Sequence, residues 1–155
     1  MFNPIEIRPA APHDSPDIVR LVKELAGDEP CDLTEEFARE YLAFPGCGIL
    51  LAQETAAGAT SKTGRVLGML SYSIRPNLFH AGNGCLIEEL VVKGDARGRG
   101  VGGLLVDAIL QIAESLGCEE ISVSTMPDNT GAIRFYKSHG FEDEAVYLER
   151  HFQGK

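Results

Sequence analysis

The chain has 155 residues, the size of one ordinary domain, and 44% of them are apolar, close to the average for soluble globular proteins. Fourteen Lys and Arg against 23 Asp and Glu leave a formal net charge of −9, which repels nucleic-acid phosphates and anionic membranes, so an anionic ligand has to be held locally. The first twenty residues carry Pro4, Pro9, Pro12 and Pro16 with Arg8, Asp14 and Asp17, unlike a signal peptide, and the longest uncharged stretch, residues 41–53, is shorter than the roughly 20 residues that cross a bilayer. A cytoplasmic protein that engages neither nucleic acid nor membrane is expected.

Ile5 and Ile7 alternate with polar neighbours ahead of Pro9, which predicts a short first strand. Asp14 and Ser15 can cap a helix with Pro16 in its first turn, where Ile18, Leu21, Val22 and Leu25 form one apolar stripe and Gly27 ends it. Thr34 with Glu35 and Glu36 opens a second helix carrying Phe37, Tyr41 and Leu42, stopped by Pro45 and Gly46. Residues 49–52 and 66–74 read as the strands of a hairpin, joined by a Gly, Ala, Thr and Ser segment from Ala56 to Gly64. After the turn-rich interval 77–84, residues 85–92 form a nearly continuous apolar strand interrupted by Glu88 and Glu89.

Leu104, Leu105, Ala108, Ile109, Ile112 and Leu116 keep helical period from Val101 onward, and Gly117 supplies a left-handed end. A β-branched strand over 121–125, a helix over 130–139 ended by Gly140, and a pair of strands or one bent strand over 141–152 complete the chain. The order describes a single mixed α/β domain with parallel crossovers in its second half. Cys31, Cys47, Cys85 and Cys118 stand 16, 38 and 33 positions apart, and the four His are scattered, so the thiols read as reduced small hydrophobes and no metal site is expected.

The run Arg97-Gly98-Arg99-Gly100-Val101-Gly102-Gly103 lies between the apolar strand and the strongest helix. Missing Cβ atoms let the main chain approach a ligand, the first helical N–H groups have no internal partner, and Arg97 and Arg99 would add positive charge, so the run suits a phosphate. A dinucleotide fold wants its first glycine directly after the strand, whereas five residues separate Val92 from Gly98, and a Walker loop needs Lys followed by Ser or Thr.

What fits is Arg-x-x-Gly-x-Gly at Arg97, Gly100 and Gly102, five residues after Val92, followed by Asn-x-x-Ala-x-x-Phe-Tyr-x-x-x-Gly-Phe at Asn129, Ala132, Phe135, Tyr136, Gly140 and Phe141. With these two motifs in order, and Ile7-Arg8-Pro9-Ala10 ahead of an amphipathic helix, the sequence resembles the GNAT superfamily of N-acetyltransferases over nearly its whole length. The resemblance implies a mostly antiparallel central sheet with helices on both faces, and acetyl-coenzyme A as co-substrate. It implies that Arg97, Gly98, Arg99, Gly100, Val101, Gly102 and Gly103 cradle the pyrophosphate. Main-chain groups of Val91 and Val92, together with Asn129 and Ala132, would hold the pantetheine arm.

The reaction so implied is direct attack of a neutral amine on the thioester, which needs a base, oxyanion donors and a proton for the thiolate. Glu88 and Glu89 in an apolar strand call for a wet cavity or a cationic partner, and adjacent strand residues face opposite ways. Their segment is most similar to diamine acetyltransferases, which implies Glu88 as base, directly or through water, and Glu89 as acceptor-site carboxylate. Tyr136 is implied as the acid. The acceptor would be a small-molecule or peptide amine, a homodimer is expected by the family's habit, and a catalytically silent coenzyme A binding module is the alternative. The acceptor's identity and the length of the donor's acyl group stay open.

Overall fold

The computed structural model describes residues 2–56 and 64–152. Its strands and helices run, in chain order, β1 (Ile5–Pro9), α1 (Ser15–Ala26), α2 (Glu35–Ala43), β2 (Cys47–Glu54), β3 (Arg65–Asn77), β4 (Gly82–Val92), α3 (Val101–Ser115), β5 (Cys118–Val123) and α4 (Thr130–Ser138). The chain forms two compact units, Met1–Val123 and Ser124–Lys155.

In the first unit the five strands make one sheet in the order β1-β2-β3-β4-β5, antiparallel throughout except for the parallel β4 and β5. The parallel pair is connected through α3, as a crossover between parallel neighbours requires. Strand pleat sorts the side chains. Ile49, Leu51, Met69 and Val91 pack with Ile18 and Leu21 of α1 and Ala38 of α2, forming the core on one face. The other face carries Gly68, where an added Cβ would lie 3.3 Å from Val101 Cγ1, so α3 approaches the sheet closely over a residue that has no side chain. Val101, Leu105, Val106, Ile109 and Ala113 are the buried stripe of α3. Helices on both faces and a mostly antiparallel sheet are thus as expected.

The hairpin of β2 and β3 is present in register, with Glu54 opposite Arg65, although the connection expected over Ala56 to Gly64 falls mainly on residues 57–63, outside the described residues. The fifth strand begins and ends earlier than the predicted 121–125.

Asp14 precedes α1 but does not cap it with its side chain. Its carboxylate instead forms a two-pronged ion pair with Arg8, 2.9 Å at both contacts, and accepts the Ala11 N–H at 2.8 Å. The Arg8 guanidinium and the Ala11 N–H hold this buried carboxyl below the usual carboxylate range against the opposing effect of burial. The pair ties the end of β1 to the start of α1, and Thr34 caps α2 by accepting from Phe37 N–H at 3.1 Å.

The second unit contains α4. The segment expected as one or two strands over 141–152 has no regular secondary structure. Lys137 pairs with Asp143 and Tyr147 donates to Glu149 in this segment, and Val146 and Leu148 are exposed. The β-branched and aromatic residues that suggested strands express that preference only where a ladder partner completes the hydrogen bonds.

Asp14→Asn should destabilise the protein by about 3–5 kcal/mol at neutral pH, because it leaves Arg8 shielded without its carboxylate. A folded-state pKa below the unfolded one gives stability that is present above the unfolded value and lost as pH falls through the folded value. Urea titrations of wild type and variant should therefore converge on acidification.

Candidate active site

The sheet opens beside the second half of β4. Strand β4 pairs with β5 only from Asn83 to Ile87, opposite Cys118 to Val123, so among the described residues Glu88 to Val92 have no strand partner on that edge. The Lys93 N–H donates to Leu67 O at 2.8 Å, and by the alternation of an antiparallel ladder Val91 bonds to Met69. Leu90 and Val92 therefore direct their main-chain N–H and C=O groups to the open edge. Of the two valines expected to contribute main-chain groups, Val92 has them on this edge and Val91 has them toward β3. The Val91 side chain is core, and Leu90 is the second residue with main-chain groups on the open edge, a position the sequence did not single out. A period-two count back from Val92 would have found it.

The two glutamates stand at a β-bulge. Ser71 lies opposite Glu89 and Tyr72 opposite Ile87, which leaves Glu88 as the extra residue. The bulge cancels the alternation that would have separated the carboxylates. Ser73 Oγ donates to Glu88 Oε1 at 3.2 Å, while Ser71 Oγ both donates to Glu89 Oε2 and accepts the Glu89 N–H at 3.0 Å. Since Ser71 and Ser73 are two apart on β3, both carboxylates meet hydroxyls on one face, that of α1 and α2.

Neither glutamate has a cationic partner among the described residues, and Glu88 is exposed. Tyr41 of α2 borders the pair and donates its hydroxyl to Tyr72 O at 3.0 Å. Burial first, then the charges of Cys47, Glu89 and Glu88, raise its pKa, so the phenol stays protonated. The result is an acidic, hydroxyl-lined wall suited to a cationic amine.

On the other side of β4 the chain turns through Gly94–Ala96, where Gly94 N–H donates to Glu24 Oε1 at 2.9 Å, and enters α3. Gly98 and Gly100 adopt left-handed φ values of 78° and 77°, which L side chains rarely accept. Gly100 is the N-cap of α3 and has no side chain to accept from the helix, and the first turn contains no acidic residue. The N–H groups of Val101, Gly102 and Gly103 thus lack the usual capping partner at the positive end of the dipole. Leu104 N–H is the first to bond back, to Gly100 O at 3.1 Å. This cradle fits a phosphate without further groups.

Its two arginines differ. Arg97 is exposed, has no carboxylate partner among the described residues, and donates through Nε to Val92 O at 3.4 Å. Arg99 lies 2.9 Å from Glu54 Oε1 and its guanidinium sits 4.1 Å from the centroid of the Phe2 ring. Glu54 thus already neutralises Arg99, which leaves Arg97 as the cation of this run without a carboxylate partner among the described residues. An open depression of about 440 Å³ lies alongside, lined by Phe2, Asn3, Ile5, Gly98, Arg99 and Leu104.

In the second unit Asn129 caps α4, its Oδ1 accepting the Ala132 N–H at 3.1 Å. That uses the side-chain oxygen locally. Tyr136 is buried, with Phe135 and Phe141 packed edge-on at 5.2 and 5.5 Å between ring centroids. Burial raises its pKa, which keeps the phenol a proton donor.

Residues 18–141 match the acetyltransferase (GNAT) family. The chain belongs to the GNAT acetyltransferase family. It is 27% identical over 96% of its length to thialysine N-epsilon-acetyltransferase of Mus musculus, covering 92% of that protein. It is 32% identical over 85% of its length to glucosamine 6-phosphate N-acetyltransferase 1 of Oryza sativa subsp. japonica, covering 77% of that chain. Among solved structures, a putative acetyltransferase from Agrobacterium tumefaciens superposes with a TM-score of 0.81 at 25% identity, with 95% of this chain and 99% of that one covered. As a GNAT enzyme the protein is an acetyl-coenzyme A dependent N-acetyltransferase.

Ser71→Ala should destabilise the protein by about 1–3 kcal/mol, because the Glu89 N–H and carboxylate lose one shared hydroxyl in a shielded position. Urea unfolding of wild type and variant measures the difference.

Proposed function

We propose that the enzyme moves the acetyl group of acetyl-coenzyme A to a primary amine on a small molecule or peptide by direct attack, with Glu88 as base and Tyr136 as acid. The observation that carries this reading is the conjunction, on one strand, of two bulge-held carboxylates and an unpaired main-chain edge that runs into an uncapped glycine cradle.

Acetyl-coenzyme A supplies the acyl group as a thioester. Residues Arg97 to Gly103 would hold its diphosphate, Arg97 through charge and Gly98, Gly100, Val101, Gly102 and Gly103 through main-chain N–H groups and close approach. Leu90 and Val92 would bond the pantetheine arm, with Asn129 and Ala132 at the start of α4 as further contacts. An amine near neutral pH arrives protonated, like a Lys side chain with its reference pKa of roughly 10.4. Glu88 takes that proton, directly or through one water, and so frees the nitrogen lone pair for the carbonyl carbon. Glu89, fixed by Ser71, holds the acceptor's remaining positive charge. The outward N–H of β4 meets the negative charge that develops on the carbonyl oxygen. Tyr136 gives its proton to the departing sulphur as the carbon–sulphur bond breaks, leaving coenzyme A as a thiol, while the attacking nitrogen loses its second proton to water as the amide forms and Tyr136 is reprotonated from water.

The acidic wall favours acceptors with a second cationic or hydroxyl group, in keeping with relatives named for thialysine and glucosamine 6-phosphate. The four free thiols, Cys31, Cys47, Cys85 and Cys118, support a reducing, cytoplasmic setting. Free-thiol release with acetyl-coenzyme A across a panel of diamines, amino acids and amino sugars tests the substrate class, and turnover confined to monoanionic amines would overturn it.

Glu88→Gln should lower kcat by about 10²- to 10⁴-fold while acetyl-coenzyme A binding is retained, and Tyr136→Phe should slow thiol release with a similar split. Steady-state kinetics beside calorimetry separates the two quantities. Gly100→Val should weaken coenzyme A binding by at least about tenfold, through a strained left-handed residue costing roughly 1–2 kcal/mol and a side chain over the cradle. Unaltered affinity in calorimetry would refute the cradle.

A further inference from the structure

We propose that Glu54 is a positioning residue for the diphosphate loop, acting through Arg99, and that the Arg99 guanidinium is a strut of the loop instead of a phosphate ligand. This rests on the reading of residues 97–103 as the cradle.

Glu54 is the last residue of β2 and Arg65, its cross-strand partner, the first of β3. Each reaches the segment between β4 and α3. Arg65 pairs with Asp95 before the cradle, and Glu54 pairs with Arg99 within it at 2.9 Å. The two bonds are unequal. The side chains of Arg65 and Asp95 are 47% and 63% exposed, so water screens them, whereas those of Arg99 and Glu54 are 11% and 15% exposed. The Phe2 ring covers the Arg99 guanidinium on the side where solvent would otherwise compete.

Arg99 also occupies the position where an anchor matters most. Gly98 before it and Gly100 after it are both in the left-handed region, with no side chain of their own to fix the turn. Without Arg99 held in place, the loop between these glycines would sample many conformations and its N–H groups would converge on a diphosphate only part of the time. The ion pair to β2 orders the loop before the ligand arrives, which lowers the ordering cost of binding.

The two roles of Arg99 predict opposite signs. A guanidinium held in reserve for phosphate would be released by Glu54→Gln, and coenzyme A would bind more tightly. A strut loses its anchor in the same variant, and coenzyme A binds more weakly. The experiment is calorimetry of coenzyme A on the full chain for wild type, Glu54→Gln, Arg99→Gln and the double variant, with hydrogen exchange of residues 98–103 in the absence of ligand.

Each single variant should raise Kd by about tenfold, and the double should be no worse than the weaker-binding single, because both remove one interaction. Exchange over 98–103 should quicken in both singles. The slope of log Kd against log salt should stay that of wild type in Arg99→Gln, since no phosphate contact is lost. In kinetics the KM for acetyl-coenzyme A should rise while kcat at saturation stays within about twofold. Unchanged or tighter binding in Glu54→Gln, additive singles, or a shallower salt slope in Arg99→Gln would overturn the proposal.

If Glu54→Gln does not fold, Glu54→Asp replaces it. The shorter carboxylate falls short of Arg99 and should weaken binding, and unchanged affinity would overturn the proposal. The cradle reading fails separately. Coenzyme A affinity that survives Gly100→Val removes the cradle, whereas affinity lost there and kept in Glu54→Gln removes only the strut.

Discussion

Main-chain N–H and C=O groups withdrawn from water must find partners, and among the described residues the second half of β4 and the first turn of α3 leave two adjacent sets of them without a strand or capping partner. Both follow from one topological fact. A parallel neighbour for β4 has to arrive by a crossover through α3, and β5 ends at Val123 opposite Ile87, so the strand continues for five residues with one open edge. At the end of that edge the chain turns into a helix whose N-cap is a glycine. The same strand therefore offers outward amides suited to an amide-bearing arm and delivers the chain to amides suited to an anion. An acidic chain can bind a polyanion in this way because dipoles and N–H groups, and not net charge, make the attraction.

The bulge at Glu88 gives the strand its second capability. A regular β4 would send Glu88 and Glu89 to opposite faces, one toward α3 and one toward α1 and α2. With one extra residue, both carboxylates reach serine hydroxyls of β3 on the same face. Ser71 is central here, since its hydroxyl takes up the N–H of Glu89 and orients that residue's carboxylate at once. Uncharged hydroxyl partners leave the negative charge of the pair available to a cationic visitor. An ion pair to Arg or Lys would have neutralised it, as happens at Arg8 with Asp14, where the same chemistry serves only to join β1 to α1.

What could be read from the sequence was local or periodic. The stripes of α1 and α3, the glycine ends at Gly27 and Gly117, the loop from Arg97 to Gly103 and the motif from Asn129 to Phe141 depend on neighbours within a turn or two, and the elements appear with boundaries shifted by a few residues. What escaped was register. Whether Leu90 or Val91 turns its main chain outward depends on which residue of β3 lies opposite, and the bulge exists only relative to Ser71 and Tyr72. The partner of Arg99 stands 45 positions away at the end of β2, so nothing near the loop announces it. The run from Phe141 to Phe152 failed in the opposite sense. Its composition favours strands, yet no ladder forms, since β preference is a response to a paired and half-buried setting.

These points bear on how the family's chemistry divides within this chain. Binding of the donor, in the proposed mechanism, draws on groups every residue has, its main-chain N–H and C=O, arranged by glycine and by the end of a strand pairing. Proton transfer, in the proposed mechanism, draws on particular side chains, Glu88 and Tyr136. Substitutions in the first set act by changing backbone geometry and so tolerate chemical variety wherever φ and space allow. In the second set even an isosteric replacement removes the function. Under the same proposal a chain of this kind can keep its donor while exchanging acceptors, because Tyr41, Ser73 and Glu89, beside the proposed base, come from α2, β3 and the bulge and stand apart from residues 97–103. On that proposal acceptor choice is a property of three side chains on one sheet face, and donor choice a property of where β4 and β5 part.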